Sequence, residues 1–120
     1  MEGKRLSESE YRFMSLLWDS EPIPSMKLVE LCREELGWKK STVFTVIKKL
    51  SEKGFLKNES AVVTALVPRD KAQATESRLF LERTFNGSLP GFLAAFFGDK
   101  GISGEEADRL KELIDNYRED

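Results

Sequence analysis

Six lysines crowd one short stretch of this chain. Lys39, Lys40, Lys48, Lys49, Lys53 and Lys57 stand against Glu52 alone, a net +5 over residues 39–57. The flanking stretches are acidic, net −3 over residues 1–38 and net −4 over residues 58–120, so the whole chain carries only −2. A basic block inside an acidic chain is a candidate anion-binding face; the competing reading is a solvated helix face. Placement separates the two. At about 100° per residue, a helix over about Ser41–Lys53 turns Val43, Val46, Ile47 and Leu50 to one side. The opposite side holds Ser41, Thr45, Lys48 and Glu52, flanked by Thr42, Phe44 and Lys49. Hydroxyls and lysines reach both phosphate oxygens and base edges, and an exposed Phe44 fits against a thymine methyl. The candidate contacts to nucleic acid are therefore Lys40, Ser41, Thr42, Phe44, Thr45, Lys48, Lys49 and Lys53.

Other chemistries are removed by residue type. The chain has no histidine and a single cysteine, Cys32. No intrachain disulfide, no cysteine-based metal site and no Ser-His-Asp, Cys-His or zinc-His mechanism is possible. Carboxylate and lysine chemistry survive on composition, but no phosphate-cradling glycine motif and no HExxH is present. We expect a non-enzyme without cofactor or metal. The longest apolar run, Phe92–Phe97, is far short of the roughly 20 residues that span a bilayer, so no membrane insertion is expected. Met1–Ser7 lacks the apolar core of a secretory signal, which points to the cytoplasm.

The elements that must position the basic face are legible from local signals. Ser7 and Glu10 make an S-x-x-E capping box, and Tyr11, Met14, Leu17 and Trp18 recur at helical spacing, so residues 7–19 form a helix with that stripe buried. Pro22 and Pro24 break the chain and leave Ile23 in a short extended piece. A second helix runs from about Ser25, as N-cap, to Leu36, with Leu28, Val29, Cys32 and Leu36 inward and Gly37 as the stop. Trp38–Thr42 turns into the third helix, which exits at Gly54. A brief strand and a β-branched strand over Ala61–Pro68 follow, with Asn58-Glu59-Ser60 as the turn between them. Three helices followed at once by a hairpin make a winged helix-turn-helix.

The C-terminal part reads as three more helices. One spans about Asp70–Asn86, one is a short apolar helix, Leu89–Phe97, capped by Ser88, and the last opens on the Ser103-x-x-Glu106 capping pattern. Leu81, Phe85, Phe92, Leu93, Phe96, Phe97, Leu110, Ile114 and Tyr117 are too many large apolar side chains for so little chain to cover. They call for a second copy as partner. The expected fold class is mainly α with a small β-hairpin (α+β). It comprises a winged helix-turn-helix DNA-binding domain over residues 1–68 and a helical dimerisation region over residues 69–120.

The same residues carry a family pattern. Leu6-Ser7-Glu8-Ser9-Glu10 with Leu17-Trp18 and Pro22 form its first part. Trp38-x-x-Ser41-Thr42-Val43-x-Thr45-Val46-Ile47-x-Lys49-Leu50-x-x-Lys53-Gly54-x-Leu56 form its second. Val67-Pro68, Phe85-Asn86-Gly87-Ser88, and Ile102-Ser103-x-Glu105-Glu106 with Leu110 complete it. In this order, over nearly the whole chain, they resemble the penicillinase-repressor group, the BlaI/MecI/CopY repressors of bacteria. The resemblance implies a homodimeric repressor whose recognition helix, here with Ser41, Thr42, Thr45, Lys48 and Lys49, enters the major groove of an operator palindrome. It also implies a membrane receptor or protease system as a further partner.

The chain departs from the family pattern at three places. Its wing turn is short and acidic. Lys49 stands where the family usually has Arg, without that residue's planar fork for guanine. The paired C-terminal cysteines of the copper-responsive branch are missing. In antibiotic-responsive members a protease cuts an Asn-Phe bond in the short helix after Phe-Asn-Gly-Ser. The resemblance carries that bond to Ala95-Phe96, with the Phe kept and the Asn replaced; the alternative is that these two residues are only core. Against the repressor reading stands a winged-helix protein-interaction module without DNA binding, favoured by the acidic wing and a pI near 5.4.

Overall fold

The computed structural model describes residues 5–120. Its elements run α1 (Glu8–Ser20), β1 (Ile23–Pro24), α2 (Ser25–Leu36), α3 (Lys40–Lys53), β2 (Leu56–Glu59), β3 (Val62–Ala65), α4 (Arg69–Phe85), α5 (Leu89–Phe97) and α6 (Gly104–Tyr117). The chain separates into two compact units between Ser77 and Arg78, within α4. Arg69–Ser77 thus group with the first unit, where Ala72 enters the core and Arg69 Nη2 donates to Asp19 Oδ1 at 2.7 Å and to the Ser15 carbonyl at 3.1 Å.

The first unit holds a winged helix, α1 to α3 with a three-stranded antiparallel sheet ordered β1-β3-β2, followed by the start of α4. The capping box forms as expected. Glu10 N–H donates to Ser7 Oγ at 3.2 Å, and Ser7 N–H donates to Glu10 Oε1 at 2.9 Å. The buried face of α1 differs from the expected stripe. Met14 and Leu17 are buried together with Phe13 and Glu10, whereas Tyr11 and Trp18 lie half-buried beside the core. Trp18 stops there because its indole N–H donates to the Val67 carbonyl at 2.9 Å and the Arg69 guanidinium lies over its ring at 5.4 Å. A side chain with a polar edge packs best where that edge finds a partner.

Ile23 does more than extend the chain. It pairs with Val63, so β1 adds a third strand to the expected hairpin. The hairpin turn also moves. Asn58 and Glu59 belong to β2, opposite Val63 and Val62, and the turn is Ser60-Ala61. Both turn residues are left-handed, with φ of 54° and 63°, as a two-residue loop joining right-twisted strands requires. The Ala61 carbonyl accepts from Ser25 N–H at 2.8 Å. Ser25 is therefore the buried first residue of α2, and the cap position belongs to Pro24. Leu28, Val29, Cys32, Val43, Ile47, Leu50, Phe55, Leu56 and Val63 close the core under α3. Burial raises the Cys32 thiol to about 11, as suits a packing residue.

The second unit holds the rest of α4 with α5 and α6. Ser88 Oγ accepts from Gly91 N–H at 2.9 Å and Ser103 Oγ from Glu106 N–H at 3.1 Å, so both expected caps are made. No residue of α5 or α6 is buried. Among the described residues, no helix is long and apolar enough to cross a membrane.

Candidate nucleic-acid interface

The third helix is held from both ends. Gly37, with φ of 71°, ends α2 and turns the chain, and Trp38 then stacks on Phe13 with centroids 6.0 Å apart and planes 6° from parallel. Lys39 is extended and takes the N-cap position without a side-chain cap, so the first amides of α3 are uncapped, an arrangement that favours an anion. At the far end Gly54, with φ of 87°, releases the chain into β2. Both glycines sit where a Cβ would oppose the left-handed backbone.

Between those ends the helix divides as its periodicity dictates. Val43, Ile47 and Leu50 are buried and Val46 packs at the core's edge. Lys40, Ser41, Thr42, Thr45, Lys48 and Lys49 are exposed. Among the described residues, none of these six side chains has a hydrogen-bond or ion-pair partner. The face combines two hydroxyl types with three cations along one rigid element, which suits phosphate anchoring and base-edge hydrogen bonds.

Two of the expected contacts lie elsewhere. Phe44 is half-buried and packs against the core, because its flanking position lies close enough to the inner face to be drawn in. Lys53 turns away from the face. Its ammonium donates to Glu10 Oε1 at 2.8 Å and to the Arg5 carbonyl at 3.1 Å. Glu10 is buried; desolvation raises its carboxyl pKa, but the Lys53 ammonium and the Ser7 amide outweigh that and hold it below the ordinary value of 4.5. Sequence spacing missed this pairing because 43 residues separate the partners. Lys39, left out of the expected contacts, is exposed at the start of the helix; its place in the basic block was the available signal.

The wing beside α3 is nearly neutral. Lys57 Nζ lies 3.3 Å from Glu59 Oε1, both side chains being solvent-exposed, and Asn58, Ser60 and Ala61 are exposed around them.

In the second unit the expected apolar residues split by exposure. Leu81, Phe85, Phe92, Leu93, Phe97 and Leu110 are half-buried, while Ala95, Phe96, Ile114 and Tyr117 are exposed. Phe80, Leu89 and Leu113 join the exposed set and were not among the residues picked out by spacing. Phe80 sits 5.8 Å from Phe85 and 5.9 Å from Phe92, and Phe85 lies 5.5 Å from Phe92, edge-on or tilted. Aromatic rings favour such arrangements, and the excess of phenylalanine was the signal for Phe80.

Comparison with known proteins bears on this arrangement. The family profile described as penicillinase repressor matches residues 6–116. The chain is 23% identical over 118 residues to the penicillinase repressor of Bacillus licheniformis, covering 95% of this chain and 92% of that protein. It is 21% identical over 113 residues to the methicillin resistance regulatory protein MecI of Staphylococcus aureus, covering 91% and 92%. A 16.5 kDa protein encoded in the ptsI 3′ region of Latilactobacillus sakei is 27% identical over 113 residues, covering 91% and 77%. Of these three relatives, one is named a repressor and one a regulatory protein. The matched profile takes in the capping box, α3, the wing and most of α6. This chain therefore belongs to the penicillinase repressor family of transcriptional regulators.

Proposed function

We propose that the chain is a homodimeric, sequence-specific DNA-binding repressor. The carrying observation is the outward face of α3, where Ser41, Thr42, Thr45, Lys48 and Lys49 stand exposed while the opposite face is anchored in the core. In this reading α3 lies in the major groove of a palindromic operator. Lys40, Lys48 and Lys49 neutralise phosphates, and Thr42 and Thr45 face base edges. Residues 1–68 are the DNA-binding head, and residues 69–120 carry the apolar surface that joins two heads. Linking the heads makes the second half-site encounter intramolecular, so operator affinity exceeds that of either head.

The dimerisation region also supplies a route to release. The Ala95-Phe96 bond lies near the end of α5, with both residues exposed. Hydrolysis there separates α6 from α4 and the start of α5, divides the apolar surface and removes the avidity of the paired heads. An engineered protease site at Ala95-Phe96, cut in the purified protein, should lower operator affinity; cut protein that binds as tightly as intact dimer would refute the route.

The direct test of DNA binding is a gel shift with the DNA upstream of the protein's own gene. Thr45→Ala should relax discrimination at one base pair, by about 1–3 kcal/mol. Lys49→Ala should weaken binding and, if its contact is to phosphate, lower the salt slope by about one unit. A wild-type affinity indifferent to salt would reject DNA binding. It would favour the second reading, a protein-interaction module, whose support is the neutral Lys57–Glu59 wing.

A further inference from the structure

We infer that the Glu10–Lys53 ion pair positions the recognition helix, and that Lys53 governs DNA specificity through Glu10 rather than by touching DNA. The inference rests on the DNA-binding reading above. Lys53 is the last residue of α3, and Glu10 is in the first turn of α1. The Glu10 side chain retains 6% of its exposure and that of Lys53 28%. One oxygen, Glu10 Oε1, accepts from both Ser7 N–H at 2.9 Å and Lys53 Nζ at 2.8 Å. Lys53 Nζ also donates to the Arg5 carbonyl at 3.1 Å. The ammonium therefore ties the end of α3 to the entry of α1 at two points, and the capping box holds the carboxylate that receives it. A cation at this end also suits the helix dipole.

The tie matters because of leverage. Val43, Ile47 and Leu50 hold α3 by apolar packing, which resists separation but is not directional. From Lys53 to Ser41 the helix runs about 18 Å, so a tilt of about 3° at its C-terminal end moves the Ser41 end by roughly 1 Å. Base-edge hydrogen bonds have a much narrower distance range, whereas a flexible lysine follows a phosphate through such a shift. Loosening the pair should thus erode specific binding while leaving non-specific binding in place. In some proteins such an ion pair fixes a unique arrangement without adding net stability.

The experiment compares full-length wild type, Glu10→Gln, Lys53→Met and Lys53→Arg. It measures the ratio of operator to random-DNA affinity and the salt slope, each below that protein's own melting temperature. Glu10→Gln keeps an acceptor for Ser7 but removes the charge facing Lys53. We expect Glu10→Gln and Lys53→Met each to lower the ratio about tenfold with the salt slope unchanged, and Lys53→Arg to keep it near wild type. If Lys53→Met lowers the salt slope by about one unit while Glu10→Gln binds normally, Lys53 is a phosphate contact and the inference is wrong. Lowered melting temperatures with an unchanged ratio would also overturn it, leaving the pair as structural support. Wild type that shows no salt-dependent operator binding would instead overturn the DNA reading itself, before any variant is compared.

Discussion

Replacing Phe96 with alanine should loosen self-association by more than two orders of magnitude. In the single chain Phe96 keeps 70% of its surface exposed, between Phe92 and Phe97 in an aromatic run. A phenylalanine side chain buries roughly 200 Å² when fully covered, so about 140 Å² of Phe96 is left open to solvent. At about 25 cal/mol per Å², complete cover would contribute about 3.5 kcal/mol. Covering half of it gives about 1.7 kcal/mol per chain and about 3.4 kcal/mol for two chains, or roughly 300-fold in the dissociation constant. Among the described residues the aromatic rings that Phe96 meets are Phe92 at 5.9 Å and Phe97 at 6.2 Å, so the variant should remain folded. Sedimentation equilibrium over a dilution series reads the constant, and a thermal melt checks folding. An unchanged dissociation constant in a folded variant would refute the reasoning, as would wild type that stays monomeric throughout the series.

The remaining expectations concern stability. Phe13→Ala empties a fully buried site stacked on Trp38 and should cost about 3–5 kcal/mol in urea unfolding; a loss below about 1 kcal/mol would mean Phe13 is not core. Glu10 has its pKa lowered on folding, so its ion pair with Lys53 contributes stability above the ordinary carboxylate value of 4.5, and that contribution is lost as pH falls through the lower folded value. Melting temperature should therefore fall more steeply on acidification in wild type than in Glu10→Gln, and parallel curves would contradict the assignment.

Local signals determined much of this protein. The Ser7–Glu10 box, the glycine exits at Gly37 and Gly54 and the apolar period of α3 each lie within one or two helical turns, and each appears where the sequence places it. The exposed hydroxyl-and-lysine face follows from the same period, because a helix with one anchored side has only one side left for solvent. Tertiary structure decided everything that depends on a partner distant in sequence. Trp18 yields the deepest position to Phe13 because its N–H finds Val67, 49 residues away. Ile23 becomes a strand only because Val63 is there to pair with it, and the hairpin turn shifts to Ser60-Ala61 because that register also ties Ala61 to Ser25. Lys53 belongs to the basic block by composition yet to Glu10 by geometry. The physical reason is common to all four: periodicity specifies which way a side chain points on its own element, while the nearest opposite charge, carbonyl or strand edge is set only when the elements pack.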